Sequence, residues 1–447
     1  MKTYSNYKDS GVQWIGKVPS HWNMAKLKYD FHIYAGATPK TENPIYWDGD
    51  IIWITPADYK TSDKYVSQGK RTISKEGYQS CNTQIVPKGS LIFSKRAPIG
   101  TIAIAVNELC TNQGCLSCVP KDVSSTYFFY IISVSTEAFE LLGSGATFKE
   151  ISANYFANVK LPLPPLSEQQ AIASYLDAKT KPIDDIIAKR EKQIELLEEM
   201  KSAIISRAVT KGLNPDAKMK DSGIEWIKTE PQSWETRRIK NVITLLTDYD
   251  ANGSFADIAK NVKVNVGEPY AWMVRATDLA NKRYGIVDDN NYCNKETYDF
   301  LSKSSLEAGD ILIAKRGDIG KSYEVPKCDC PMTLAPNTYL LKTNKKVISN
   351  RFFHYFFMSD YGKKQLSINN KSTTIGALYK DDVKNLKILL PPMHEQQAIA
   401  SYLDSETSKI DTRIAKRRKQ IELLQEYKQA LITAAVTGKI DVREYNS

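Results

Sequence analysis

The 447 residues contain no run approaching the roughly 18 uncharged apolar residues of a membrane span. The opening stretch from Met1 to Asp9 has no apolar core, so no secretory signal is expected and a cytoplasmic location follows. Histidine is scarce: His21, His32, His354 and His394 are the only four, none beside a serine or cysteine in a triad arrangement. No carboxylate pair has the helical spacing of a metalloprotease. Seven cysteines do not suggest a disulfide framework in a cytosolic chain of this size. Cys110, Cys115 and Cys118 lie close together, but zinc wants four ligands and the nearest histidine is far away. Cys328 and Cys330 form a second pair, and all five are read as ordinary thiols, with no metal site expected.

Two further motifs fail on inspection. Gly317-Asp318-Ile319-Gly320-Lys321-Ser322 ends like a phosphate-binding loop, yet Lys315 stands where the first glycine is required. Asn43-Pro44-Ile45-Tyr46 is one letter from the Asn-Pro-Pro-Tyr loop of amino-methyltransferases. No glycine-rich cofactor loop follows a convincing strand, and turn chemistry accounts for the segment. No active site is found.

What the chain does have is ordinary globular composition, 42% apolar and 25% charged, at a length of about three domains. Its 61 basic against 51 acidic residues leave a formal charge of +10, a balance that suits a nucleic-acid partner. Above all it repeats itself. Glu168 to Asp177 recurs letter for letter from Glu395 to Asp404, an offset of 227 residues. About 30 of the 43 positions from Glu168 to Thr210 agree with their counterparts, far beyond chance. A second repeat opens each half: Lys8-Asp9-Ser10-Gly11-Val12-Gln13-Trp14-Ile15 returns as Lys220-Asp221-Ser222-Gly223-Ile224-Glu225-Trp226-Ile227. Between these markers the halves are only loosely alike. The implied order is a first variable domain (1–166), a shared helical segment (167–212), a second variable domain (213–392) and a second shared segment (393–447).

The prolines of Leu161–Pro165 and Leu389–Pro392 stop whatever precedes the shared segments. Ser167 with Gln170 predicts a capped short helix to about Asp177. Then comes a break, with Thr180 capping a new helix that carries Pro182 in its first turn. The long helix carries a heptad stripe of Ile183, Ile187, Ile194, Leu197 and Ile204, with Arg190 and Lys201 in two slots. Ile410, Ile414, Ile421, Leu424 and Leu431 repeat it, interrupted by Arg417 and Lys428. Two such rods, each of about 28 residues and near 42 Å, are expected to pack on each other. Lys416 to Lys419 is a basic run read as a solvated face.

The variable domains read as mixed α+β. Strands are predicted over Asp50–Thr55, Leu91–Ser94, Ile102–Val106 and Ile311–Ala314. The aromatic runs Phe128–Ile132 and Phe352–Phe357 are read as buried helices rather than base-stacking platforms.

The doubled closing motif Glu-Gln-Gln-x-Ile-Ala-x-Tyr-Leu-Asp, with Asp-Ser-Gly-x-x-Trp-Ile opening each half, resembles the specificity subunits of type I restriction-modification systems over nearly the whole chain. That resemblance implies two α+β target-recognition domains, each reading one half of a split DNA site. It also implies an antiparallel coiled coil that separates them and binds two methyltransferase subunits, with restriction subunits joining that core. S-adenosylmethionine and ATP would then belong to the partner subunits, and this chain would hold no cofactor and catalyse nothing. The other reading is an enzyme, a fused or orphan DNA amino-methyltransferase using the Asn43 loop. Candidate DNA contacts are Lys95 and Arg96 with Lys315 and Arg316, since both halves place a Lys-Arg pair where a strand ends before a turn. Lys60, Arg71, Lys149, Arg275 and Lys371 are further candidates from basic loops.

Overall fold

The computed structural model describes residues 2–96, 98–142, 149–287, 291–316, 319–368 and 378–445. The chain divides into two compact units, Met1–Glu191 with Arg418–Ser447, and Lys192–Arg417. Each unit therefore holds one variable domain and part of both long helices.

In the first unit the Asp-Ser-Gly motif forms the turn of a hairpin, Tyr7–Asp9 against Lys17–Pro19. The Asp9 carboxylate accepts from the backbone N–H of Gly11 (2.8 Å), and Gly11 adopts φ +69°, which a side chain would strain. Asp221 and Gly223 repeat this turn in the second unit, at 2.9 Å and φ +63°. The motif recurs because the turn chemistry does.

The main sheet of the first unit has the spatial order Phe31–Ala35, Cys115–Pro120, Leu91–Ser94, Ile102–Ala105, Tyr65–Val66. All neighbours are antiparallel except the last pair. The second unit repeats the first four places with Ile243–Asp248, Thr338–Thr343, Ile311–Ala314 and Ser322–Glu324. A smaller sheet is duplicated too. Trp47–Ile54 pairs parallel with Cys110–Thr111 and antiparallel with Arg71–Ile73. In the second unit Ala271–Val274 does the same with Met332–Leu334 and Tyr292–Cys293. Topology thus persists where the sequences have drifted apart.

Both aromatic runs are buried helices, Ser125–Ser133 and Asn350–Met358. Ser124 caps the first by accepting from the N–H of Tyr127 (3.3 Å), and Phe128 meets Phe31 of the sheet edge-on, with ring centroids 4.9 Å apart. These helices form the layer between the sheets and the long helices.

The long helices run Leu166–Lys211 and Met393–Val436. The break expected after Asp177 is absent: the first helix continues through Pro182. Proline removes one rung of the backbone ladder, but the flanking turns are held by buried side chains. Thr180 is not a cap; its hydroxyl is buried against the Tyr130 hydroxyl (3.2 Å). Ser167 lies inside the first turn because the helix already starts at Leu166, and Gln170 is exposed.

Its neighbour Gln169 is the working amide. The backbone N–H of Ser124 donates to Gln169 Oε1, and Gln169 Nε2 donates to the carbonyl of Pro164, both at 2.9 Å. Gln396 does the same with Ser349 (2.8 Å) and Pro391 (2.9 Å). Asp177 accepts from the Tyr130 hydroxyl (2.5 Å) and is paired with Lys64; Asp404 accepts from Tyr355 (2.7 Å) and is paired with Arg351. Glu168 is shared by Tyr4 and His21, whereas Glu395 accepts from Trp234 Nε1 (3.0 Å). The repeated letters of the shared segment are therefore the ones that pin each helix to its domain.

The heptad stripe faces inward in both units. Ile183, Ile187, Leu424 and Leu431 join the core of the first, and Ile204 joins that of the second, where Ile410 and Ile414 are buried as well. Ile194, Leu197 and Ile421 are half-buried. In the second unit Lys201 donates to both carboxylate oxygens of Asp411 (2.7 Å). In the first, Lys428 donates to Asp184 (2.6 Å). Asp411 and Lys428 are the counterparts, 227 residues on, of Asp184 and Lys201, so the same pair is made twice with its halves exchanged. Within the second unit the two helices run antiparallel: Glu395 lies beside Gly212 and Asp411 beside Lys201. Half-exposed pairs of this kind add about 0–1 kcal/mol each, so their chief effect is on register.

Gln169→Ala and Gln396→Ala should each leave a buried N–H and carbonyl without partners, at a cost of about 1–3 kcal/mol per orphaned group. A clear drop in the thermal unfolding midpoint is expected from either, and from exposed Gln170→Ala none. A chain ending at Gly212 loses Leu431, Ala435 and Val436 from the first core, and burial of such side chains is worth roughly 1.5–3 kcal/mol each. Ile204, Ala208 and Val209 of a second copy are their counterparts, so light scattering should find a dimer; a stable monomer would contradict the shared register.

Candidate nucleic-acid interface

Lys95 and Lys315 occupy the same place, directly after the equivalent strands Leu91–Ser94 and Ile311–Ala314. The N–H of Lys95 donates to the carbonyl of Gly114 (2.9 Å), and its own carbonyl accepts from Ile151 (3.0 Å). The N–H of Lys315 donates to Asn337 (2.8 Å), and its carbonyl accepts from Leu378 (3.3 Å). In both units a strand end, a loop and a returning segment therefore meet at one lysine.

Both ammonium groups are neutralised. Lys95 Nζ lies 2.7 Å from Glu150, with the lysine side chain 14% exposed. Lys315 lies between Asp248 (3.1 Å) and Asp250 (2.9 Å), 20% exposed, and Lys380 also reaches Asp248 (2.8 Å). Partial burial pushes the Glu150 and Asp248 carboxyls up, but the bonds and charges of their cations outweigh it and hold both below the usual carboxylate range. Burial lowers the Lys315 ammonium, and the two aspartates outweigh it, holding the group above its ordinary value.

The arginines that follow are different. Arg96 donates from Nε to Glu150 (2.8 Å) and is 46% exposed. Arg316 is exposed. Lys149, directly before Glu150, is exposed, as is Lys60. Arg71 stacks over the Trp47 ring at 3.9 Å with Asp48 4.0 Å away, on a separate sheet edge. Arg275 is engaged by buried Asp278 at 2.7 Å. Lys371 lies outside the described residues. The structure thus gathers Lys95 and Arg96 around Glu150, and Lys315 and Lys380 around Asp248, with Arg316 the next residue along; Arg71 and Arg275 have acids of their own in Asp48 and Asp278. Glu150, Asp248 and Asp250 were invisible in the sequence, since an acid far along the chain carries no signal of the base it will meet.

The discarded motifs have plain structural roles. Asn43 caps a short 3-10 turn, Pro44–Tyr46, accepting from the N–H of Ile45 (3.2 Å). Burial pushes the thiols of Cys110 and Cys115 up to about 12, and raises Cys118, so all three stay protonated in the sheets. Cys328 and Cys330 place their sulfurs 2.8 Å apart, and burial pushes Cys330 up to about 11. Gly317 and Asp318 lie outside the described residues. Among the described residues no group of three or more His, Cys, Asp and Glu could hold a metal ion, and no helix is long and apolar enough to cross a membrane.

Comparison with known proteins bears on the same architecture. Over 440 residues the chain is 29% identical to the type I restriction enzyme MjaIX specificity subunit of Methanocaldococcus jannaschii, spanning 96% of each. It is 24% identical over 453 residues to the EcoKI specificity subunit of Escherichia coli K12, spanning 95% of this chain and 90% of that one. A solved chain, from work on complex assembly and conformational transition of the type I R-M system, shares the fold with a TM-score of 0.67. It does so at 16% identity, over 95% of this chain and 99% of its own length. The sequence profile of the type I restriction modification DNA specificity domain matches twice, at residues 19–196 and 231–423. One match falls in each half of the duplication, and the chain therefore belongs to the type I restriction-modification DNA specificity family.

Proposed function

We propose that this chain is the DNA-reading subunit of a type I restriction-modification complex. Each mixed domain reads one half of a two-part site. The long helices set the distance between the halves and dock two methyltransferase subunits, which restriction subunits join. S-adenosylmethionine and ATP are held by those partners, and this chain performs no chemistry of its own. One observation carries the reading: a closely repeated helical frame is pinned to two domains of like topology whose loops differ. A reader of one symmetric target would need two like domains, and an enzyme would need one catalytic constellation. Two unlike readers on one frame suit a split, asymmetric target, by the logic with which dimers read half-sites. The methyltransferase reading loses its anchor, because the Asn43 amide is engaged as a cap.

Exchange of residues from about Lys8 to Pro165 for the matching domain of a relative should change one half of the methylated sequence and leave the other intact. The incoming domain must keep the buried Tyr127 hydroxyl, which bonds the carbonyls of Pro162 (3.0 Å) and Val436 (3.2 Å). Methylome sequencing reads the outcome, and a change in both halves, or in neither, contradicts independent readers. Calorimetry on the purified chain should find no S-adenosylmethionine binding; saturable uptake would restore the enzyme reading.

A further inference from the structure

We propose that the two residues of each Lys-Arg pair divide the labour: Lys95 and Lys315 are positioning residues, while Arg96 and Arg316 read a guanine edge in their respective half-sites. The inference rests on the DNA-reading function proposed above and goes beyond it by assigning roles within each pair.

The argument starts from the lysines. They hold equivalent backbone junctions, with the same donor and acceptor engaged in each unit. Both are ion-paired, by acids from different elements: Lys95 to Glu150, a carboxylate it shares with Arg96, and Lys315 to Asp248 and Asp250. Glu150 belongs to the segment that returns after the buried aromatic helix; Asp248 and Asp250 belong to the strand Ile243–Asp248 and the turn after it. Two domains that have diverged nearly everywhere else have each neutralised this one ammonium, by unrelated routes. A lysine that served phosphate would need its charge free, because counterion release scales with the uncompensated cations presented to the backbone. Lys95 and Lys315 are instead largely covered and ion-paired, which suits a group that fixes where the next residue starts.

The next residue is an arginine in both units. Arg96 is tied to Glu150 through Nε alone, so the bond orients the guanidinium plane without using its terminal nitrogens. A planar fork held at its inner nitrogen matches the O6 and N7 acceptors of guanine in the major groove, the commonest specific side-chain contact to a base. Arg316 is exposed at the same position of the second unit, one residue beyond the anchored Lys315.

The two roles predict opposite effects of one substitution. In the full chain assembled with its methyltransferase subunits, Glu150→Gln removes the anchor but keeps its shape. If Glu150 and Lys95 position Arg96, discrimination against a single base change in one half-site falls about tenfold, and the slope of log Kd against log salt is unchanged. If Lys95 and Arg96 serve phosphate, the same variant relieves a repulsive acid: binding to any duplex tightens and the slope steepens, which overturns the proposal. Lys315→Met should likewise leave the salt slope unaltered; a loss of about 0.9 would count it as a phosphate contact and overturn its assignment. Because Lys315→Met leaves the buried Asp248 to Lys380 alone and could destabilise the domain, Arg316→Ala provides the second reading of that unit. Its expected effect is indifference to one base of the second half-site, and an unchanged preference at every position refutes the arginine's role. The wild-type complex is the control: absence of sequence-selective binding there would overturn the DNA-reading function itself, whatever the variants do.

Discussion

A buried primary amide near the start of each long helix holds the molecule together. Gln169 and Gln396 each accept a backbone N–H from the cap of the aromatic helix and donate to the carbonyl that ends the preceding strand. Buried amides are costly unless their donors and acceptors are satisfied, and these are satisfied by two different elements at once. Helix, aromatic layer and proline-terminated strand are thereby fixed at one point. Asp177 and Asp404, engaged by tyrosine hydroxyls further along the same helices, supply the second point that prevents rotation. With both in place a domain is oriented on its helix whatever its loops contain.

That constraint explains where the two halves agree and where they do not. Hairpin turns, the clamp, the aspartate pins and the seam are kept because each is a short-range geometric requirement. The sheets keep strand order and direction but few side chains, since alternating apolar residues of many kinds fill such cores. Ile92 and Leu312, or Phe93 and Ile313, are equally buried. What remains free to vary is the set of turns that leave the sheets, and there even the source of a neutralising charge has changed, from Glu150 to Asp248.

Much of this was legible in the sequence. The exact recurrence of the clamp residues announced the duplication, the 3.5-residue stripe announced the seam, and the short apolar runs announced strands such as Leu91–Ser94. The aromatic runs were readable as core because all five residues of Phe128–Ile132, and all but His354 of the six in Phe352–Phe357, are large and mainly apolar, which leaves little polar face. The misread element was the helix around Pro182. Local rules place a break there, but the buried Thr180 and Ile183 on either side hold the helix by tertiary contact, which outweighs the loss of one backbone bond. The candidate site was half legible: a repeated Lys-Arg pair marks the spot, while the acids that separate the roles of lysine and arginine come from as far as 67 residues away. No spacing rule spans such a gap.

The exchanged ion pairs have an evolutionary corollary. Because Lys201 with Asp411 and Lys428 with Asp184 are one interaction written twice, either copy of the shared segment is a competent substitute for the other. A crossover anywhere within that segment joins a foreign domain to a helix whose partner already fits. Homologous recombination with a related locus therefore joins a new domain to a fitting helix in a single event, whereas recombination between the two copies of one chain removes the domain between them. New combinations of domains arise this way without a passage through unfolded intermediates in sequence space, and the long repeated helix acts as the cassette boundary.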